Sequence, residues 1–312
     1  MATPLTPATV RAAIRAAFPA LPVATCAPLG EGWDSAAWLI DERLIFRFPK
    51  RPAVARALTV EIALLPALAA ALPVPVPRFA YVAQRGAPTD PTFPFVGYPA
   101  LRGVFLDRAP DLLAPGSPPL ADLAAALRAL HRFPRTQAVA AGVPDRDWPD
   151  WVAHWERFAA RTLADPGERL TPAARAWAAA LRERLLRELH RAARPVALIH
   201  HDLALEHLLV SPDGAHLAGI IDWGDLALGD PALDFVGVAL GCPPATLDAL
   251  LAAYGPTDER FRARIALYGA MGPFHLLHYG DEISDAAIIA EAVEVIEKRA
   301  DVAPDPSSIR EG

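Results

Sequence analysis

Between His200 and Asp225 the chain sets carboxylates and imidazoles at spacings that could do chemistry. Asp202 stands two residues after His200 and five before His207, and Asp222 follows an apolar run, Leu217 to Ile221. Moving a phosphoryl group from a nucleotide needs such parts. One carboxylate must orient and deprotonate the attacking hydroxyl, and other ligands must hold the magnesium that bridges the phosphates. Asp202 fits the first role. Asp222 fits the second, because a carboxylate ending an apolar strand is costly unless it meets a cation or strong donors. His207 is a less usual partner, since magnesium prefers oxygen. A neutral imidazole can still bind it or hold its water, the alternative being a ring packed under the loop. His200 is expected to support the loop by hydrogen bonding and His201 to be partly exposed. Trp223 should pack, and Gly224 should permit the turn. Asp225 is placed to face a substrate, and Asp230 and Asp234 to cap a helix and brace the loop.

The pattern His200-x-Asp202-x-x-x-x-His207 followed by Asp222-Trp223-Gly224 is similar to the catalytic and metal motifs of protein kinases, with His in place of Asn. With Gly229-Asp230-Pro231, Asp234-Phe235, Gly30-Glu31-Gly32-Trp33-Asp34-Ser35 and Phe46-Arg47-Phe48-Pro49, it resembles the aminoglycoside phosphotransferase family. The 2″-phosphotransferases are nearest in pattern and the macrolide phosphotransferases next. The resemblance implies an α+β, two-lobed, protein-kinase-like fold. Its small antiparallel-sheet lobe, residues 1–103, would bind nucleotide and include the hinge. A larger, mostly helical lobe, 104–312, would carry catalysis and substrate.

It also implies roles on the nucleotide side. Gly30 and Gly32 let the backbone approach phosphates, and Ser35 stands where a third glycine is usual. Arg47 takes the place of the family's phosphate-binding lysine, with Glu61 as its ion-pair partner. Lys50, one of only two lysines, is the alternative to Arg47. Backbone groups from Tyr98 to Ala100 and Leu101 would meet the purine at the hinge, where Pro99 removes one donor. Asp281 and Glu282 would bind ammonium groups of an acceptor or form a solvated helix end. Magnesium is the implied cofactor and ATP or GTP the co-substrate. The acceptor would be an aminoglycoside, with a macrolide or a metabolite as alternatives. A nucleotide-binding module with little catalysis is the rival of another class.

These side chains need elements to place them. Helical periodicity covers 7–19, 54–71, 120–131, 149–163, 172–192, 245–254, 258–271 and 285–299. Strand patterns cover 27–29, 36–40, 44–48, 79–82, 95–98, 196–199, 208–210 and 217–221. Trp148, Trp151 and Trp155 share one helix face and read as packing. The polar end, 301–312, reads as disordered.

The 312 residues are 53% apolar, enough for a full core, and the net charge of −6 speaks against nonspecific nucleic-acid binding. No membrane span or leader is read, and two cysteines far apart fit a reduced cytoplasm. A monomer or weak dimer is expected.

Overall fold

The computed structural model describes residues 5–31, 34–163 and 169–302. The chain opens with helix α1, Pro7–Ala17, capped by Thr6. Strands β1 (Cys26–Glu31), β2 (Ser35–Ile40) and β3 (Leu44–Pro49) follow, then the long helix α2 (Pro52–Ala71), β4 (Tyr81–Ala83) and β5 (Phe95–Pro99). They form an antiparallel sheet in the order β1-β2-β3-β5-β4.

The period of a strand explains how this sheet serves a site. On β3, Leu44, Phe46 and Phe48 turn to a core under α1, with Val10, Ile14, Trp38 and Phe95. Ile45 and Arg47 are thereby thrown to the opposite face. Helix α2 lies beyond that face, and its Leu64, Leu65 and Leu68 join the core of the rest of the chain. By length and composition α2 could cross a membrane, a candidate the sequence reading did not raise because Arg56 and Glu61 interrupt its apolar run. Its seven buried residues, Glu61 among them, make it a core helix here.

The remainder is mostly helical. It runs through β6 (Val104–Phe105), α3 (Pro118–His131), α4 (Arg135–Ala140), α5 (Trp148–Leu163), α6 (Pro172–His190) and β7 (Ala197–Ile199). Next come β8 (Leu208–Val210), β9 (Leu217–Ile220), β10 (Ala227–Gly229), α7 (Val236–Gly241) and α8 (Pro244–Tyr254). The chain closes with α9 (Phe261–Ile283) and α10 (Ala286–Val302). β8 and β9, both read as strands, pair as a hairpin, and β7 pairs with β10. Trp148, Trp151 and Trp155 are buried in the helical core, as read. One helix reading needed correction, and β6, β10 and α4 were not read from the sequence. The helix expected over 258–271 continues through Pro273 to Ile283, so the stretch around Asp281 is helical. The short helix α4 carries too little periodicity to be seen in sequence.

Candidate active site

The segments after β7 and after β9 lie side by side. Ile199 ends β7, and the chain then turns through His201, whose φ is 76°. Asp234 holds that turn: its carboxylate accepts the N–H groups of His200 at 2.8 Å and His201 at 2.9 Å. His131 from α3 meets the same carboxylate at 3.1 Å. Burial alone would raise the Asp234 carboxyl, but the His131 hydrogen bond and charge and the His200 contacts outweigh it, so its pKa is lowered. Asp230 caps the 3-10 turn Pro231–Phe235 and takes Arg264 and Tyr268 on its Oδ2 at 2.6 and 3.0 Å. Asp234 braces the loop as the sequence suggested, whereas Asp230 caps its own turn and ties it to α9 through Arg264 and Tyr268.

His200 is fully buried and donates from Nε2 to the Ile221 carbonyl at 3.0 Å, tying the first segment to the second. Burial lowers its pKa, so it holds this bond as a neutral ring. In the turn at Asp222-Trp223-Gly224 the left-handed residue is Asp222, with φ 60°. Aspartate tolerates that region better than most residues because its short polar group bonds locally.

The result is a cleft of about 890 Å³ with Asp202, His207, Asp222 and Asp225 on one wall and Ser35, Arg47, Glu61 and Tyr98 on the other. Arg47 forks onto Glu61 at 2.9 and 3.2 Å and reaches Asp222 at 3.4 Å. Lys50 does not line the cleft, which separates the two cations the sequence left open. Glu61 is buried, which raises its pKa against the pull of Arg47. Burial pushes the Tyr98 hydroxyl up to about 12.

His207 presents Nδ1 to the Asp202 carbonyl oxygen at 2.7 Å. That bond puts the ring proton on Nδ1 and leaves Nε2 a lone pair, 3.8 Å from Asp222 Oδ2. The Asp222 carboxyl is pulled down: burial would raise it, but Arg47, His207 and His200 outweigh burial. Asp202 moves the other way, raised by burial and then by Asp225, against His207. Asp225 is pushed up to about 6 by burial and then by Asp34 and Asp222. The wall thus pairs an ionised carboxylate, Asp222, with two that hold protons more readily.

The geometry fits a magnesium nucleotide better than a bare ion. Among the described residues no group of three or more His, Cys, Asp or Glu could hold a metal alone. Magnesium is usually held by one or two carboxylates, with phosphate oxygens and waters completing the shell. Asp222 and His207 Nε2 offer such a partial set.

Other expected site residues divide. Ser35 lines the cleft, whereas Gly30 sits in β1 with Leu29 as the lining residue beside it. Gly32 lies outside the described residues. The Ala100 N–H already donates to the Arg43 carbonyl at 2.9 Å, so it is not free for a purine. Asp281 turns to Arg169 at 2.6 Å and does not line the cleft, whereas Glu282 does. Adjacent positions on a helix point about 100° apart, which splits this acid pair.

Sequence reasoning missed Arg51. Its guanidinium binds Asp34 beside the glycine segment and Glu282 on α9 at 3.0 Å, spanning the cleft mouth. It also missed an imidazole and aromatic group behind Asp202. His201 lies 5.9 Å from Trp151 and 6.4 Å from His154, and His275 stacks on Phe158 at 3.9 Å. Only the helical spacing of Trp151, His154, Trp155 and Phe158 hinted at it. Burial and then His201, Arg146, Arg157 and Arg161 push His154 down to about 4.

Residues 25–265 match the Phosphotransferase enzyme family. The chain belongs to this family. Its fold is that of the GDP and kanamycin complex of APH(2″)-IIIa, 27% identical over 94% of this chain and 98% of that one, with a TM-score of 0.82. The macrolide 2′-phosphotransferase MphH from Brachybacterium faecium, as apoenzyme, shares the fold at 22% identity and a TM-score of 0.72, covering 93% of this chain and 98% of that one. The streptomycin–ATP ternary complex of APH(2″)-IIa does so at 18% and 0.68, covering 95% and 97%. No curated protein sequence matches the chain. The kinase-like architecture expected from the motifs is therefore the one present, with a small antiparallel sheet before a helical region.

Proposed function

We propose that this phosphotransferase moves the γ-phosphoryl group of a purine nucleotide to a hydroxyl of a small molecule. The observation that carries the reading is the continuous chain of contacts from Glu61 through Arg47 to Asp222, with His207 beside Asp222 and Asp202 in the same cleft. Residues 1–103 would hold the nucleotide and 104–312 the acceptor. Arg47 binds phosphate oxygens and is kept in place by Glu61. Asp222 and His207 hold magnesium, which neutralises charge on the phosphates when bound. Asp202 takes the acceptor's proton as the hydroxyl oxygen bonds to phosphorus and the bond to the nucleoside diphosphate breaks. Its raised pKa suits a base better than an ordinary aspartate would. The presence of both Asp202 and Asp222 speaks against a module that binds nucleotide without turnover.

The acceptor we favour is an aminoglycoside. The support is the likeness to APH(2″)-IIIa at 27% identity, whose structure contains kanamycin and GDP, and the carboxylates Asp225 and Glu282 on the cleft. A second reading, a macrolide acceptor, is kept because the macrolide 2′-phosphotransferase MphH shares the fold. The free Cys26 and Cys242 fit a reducing cytoplasm, and a monomer or weak dimer remains our reading of assembly.

Nucleotide turnover measured across aminoglycosides and macrolides, with ATP and with GTP, tests this. We expect an aminoglycoside to stimulate turnover. Added salt should raise its KM, because exposed charge pairs are screened over about 8 Å at physiological ionic strength. Stimulation by macrolides alone moves the acceptor to the second reading, and no stimulation by any hydroxyl compound removes the transferase.

A further inference from the structure

Away from the cleft, α7, α8, α9 and α10, with Trp177 of α6, line a second, open cavity of about 610 Å³. That is within the range of small-molecule pockets, roughly 300–1,000 Å³. Its lining is apolar apart from three cations, Arg262, Lys298 and Arg299, and contains no carboxylate. Arg262 is committed to Asp248. Arg299 is different. It is half-buried, and its guanidinium donates from one nitrogen to the Gly269 carbonyl at 3.0 Å. Among the described residues it makes no ion pair. A guanidinium carries five N–H donors, so most of its capacity is unused.

A half-buried cation with no acidic partner beside an apolar space is only partly compensated by water, so it favours an anion there. Burial depresses the Arg299 pKa with no carboxylate to restore it. An anion would supply the missing partner. The remaining walls, including Trp177, Leu247 and Ile265, call for a hydrocarbon body. Leu240, on the rim and 58% exposed, would be covered by the same ligand.

We propose that this cavity is a binding site for an amphipathic monoanion, a carboxylate with a medium-length apolar chain, whose head group pairs with Arg299. Lys298 adds long-range attraction from the rim. The proposal is independent of the acceptor and of the phosphotransfer reading.

Titration calorimetry of the whole chain with decanoate and with decanol tests it. Decanoate should bind with one-site stoichiometry, unaffected by saturating magnesium nucleotide. Decanol should bind at least tenfold more weakly. Arg299→Met should cut decanoate affinity at least tenfold and leave decanol unchanged. Leu240→Asp, at an exposed position that does not endanger folding, should repel decanoate. Equal affinity for decanoate and decanol would overturn the proposal, as would displacement by nucleotide. Undiminished binding in both variants would do the same. Failure of decanoate to bind, with a concentration-dependent dimer that Leu240→Asp dissolves, would make this face a contact between copies instead.

Discussion

Two sets of aspartates stand one on each side of the loop that follows β7, and they are treated in opposite ways. Behind the loop, Asp230 and Asp234 are buried, fully hydrogen-bonded and matched by Arg264 and His131. In the cleft, the Asp202 and Asp222 side chains are 58% and 52% exposed. Of these two and Asp225, only Asp222 has a strong cation within reach, and that cation is shared with Glu61. Satisfied carboxylates build the frame. Unsatisfied ones, crowded on one wall, are left with free lone pairs that a proton or a metal can take. The fold therefore keeps its stability and its chemistry in separate residues of one short segment.

The strongest way to break that contrast is Asp202→Asn. Turnover should fall by roughly 10²–10⁴ or more. Magnesium-nucleotide affinity and melting temperature should hardly change, since Asp202 supports nothing behind the loop. Turnover within a few-fold of the parent would place the base elsewhere.

Asp234→Ala should do the reverse. It leaves the buried His200 N–H, the part-buried His201 N–H and His131 without their acceptor, and breaking a buried pair costs about 3–5 kcal/mol. Chemical denaturation should show that loss, with activity falling as the loop loses its support. A variant as stable as the parent would mean that the brace is dispensable.

Asp222→Ala tests the metal wall. Magnesium-dependent nucleotide affinity should drop tenfold or more, about 1.4 kcal/mol. His207→Ala should cost less, and His207→Asn should retain binding because an amide oxygen suits magnesium. Unchanged affinity in Asp222→Ala by calorimetry would end this assignment.

The smallest effect concerns pH. Asp225 is raised from 3.8 to about 6 in the folded chain. The folded state then binds more protons than the unfolded one between those values, so this group lowers stability as pH rises from 4 to 6. Asp234 is lowered, so its contribution is present above its unfolded value and lost as pH falls through the folded one. Asp225→Asn should thus raise the melting temperature slightly at pH 7–8, with the gain vanishing toward pH 4. Asp225 sits among protein groups on the wall of an open cleft but its surface is reached by water, which screens it and keeps the effect small. A gain that persists unchanged at pH 4 would refute the cause.

Much of this was legible in the chain. The five strands and α2 announced themselves through alternation and through the prolines after the helix, because backbone period and proline geometry are local properties. Asp202, His207 and Asp222 were recognisable because their spacing survives in one continuous stretch, and Asp230 and Asp234 because they belong to a compact motif. What spacing could not give was anything decided by approach through space. The sequence favoured Arg47 over Lys50 by resemblance alone, whereas it is approach through space that puts Arg47 of β3 in the cleft and leaves Lys50, just past the strand, out of its lining. It could not show that the Ala100 donor is spent on Arg43, or that Asp281 and Glu282 part company around α9. Arg51 joins Asp34 and Glu282, 17 residues before it and 231 after it. No local pattern encodes such a contact. The sequence by itself determined the elements and the identities of the chemical groups. Only the tertiary structure decided which of those groups stay unpaired, because pairing and burial depend on where distant segments meet.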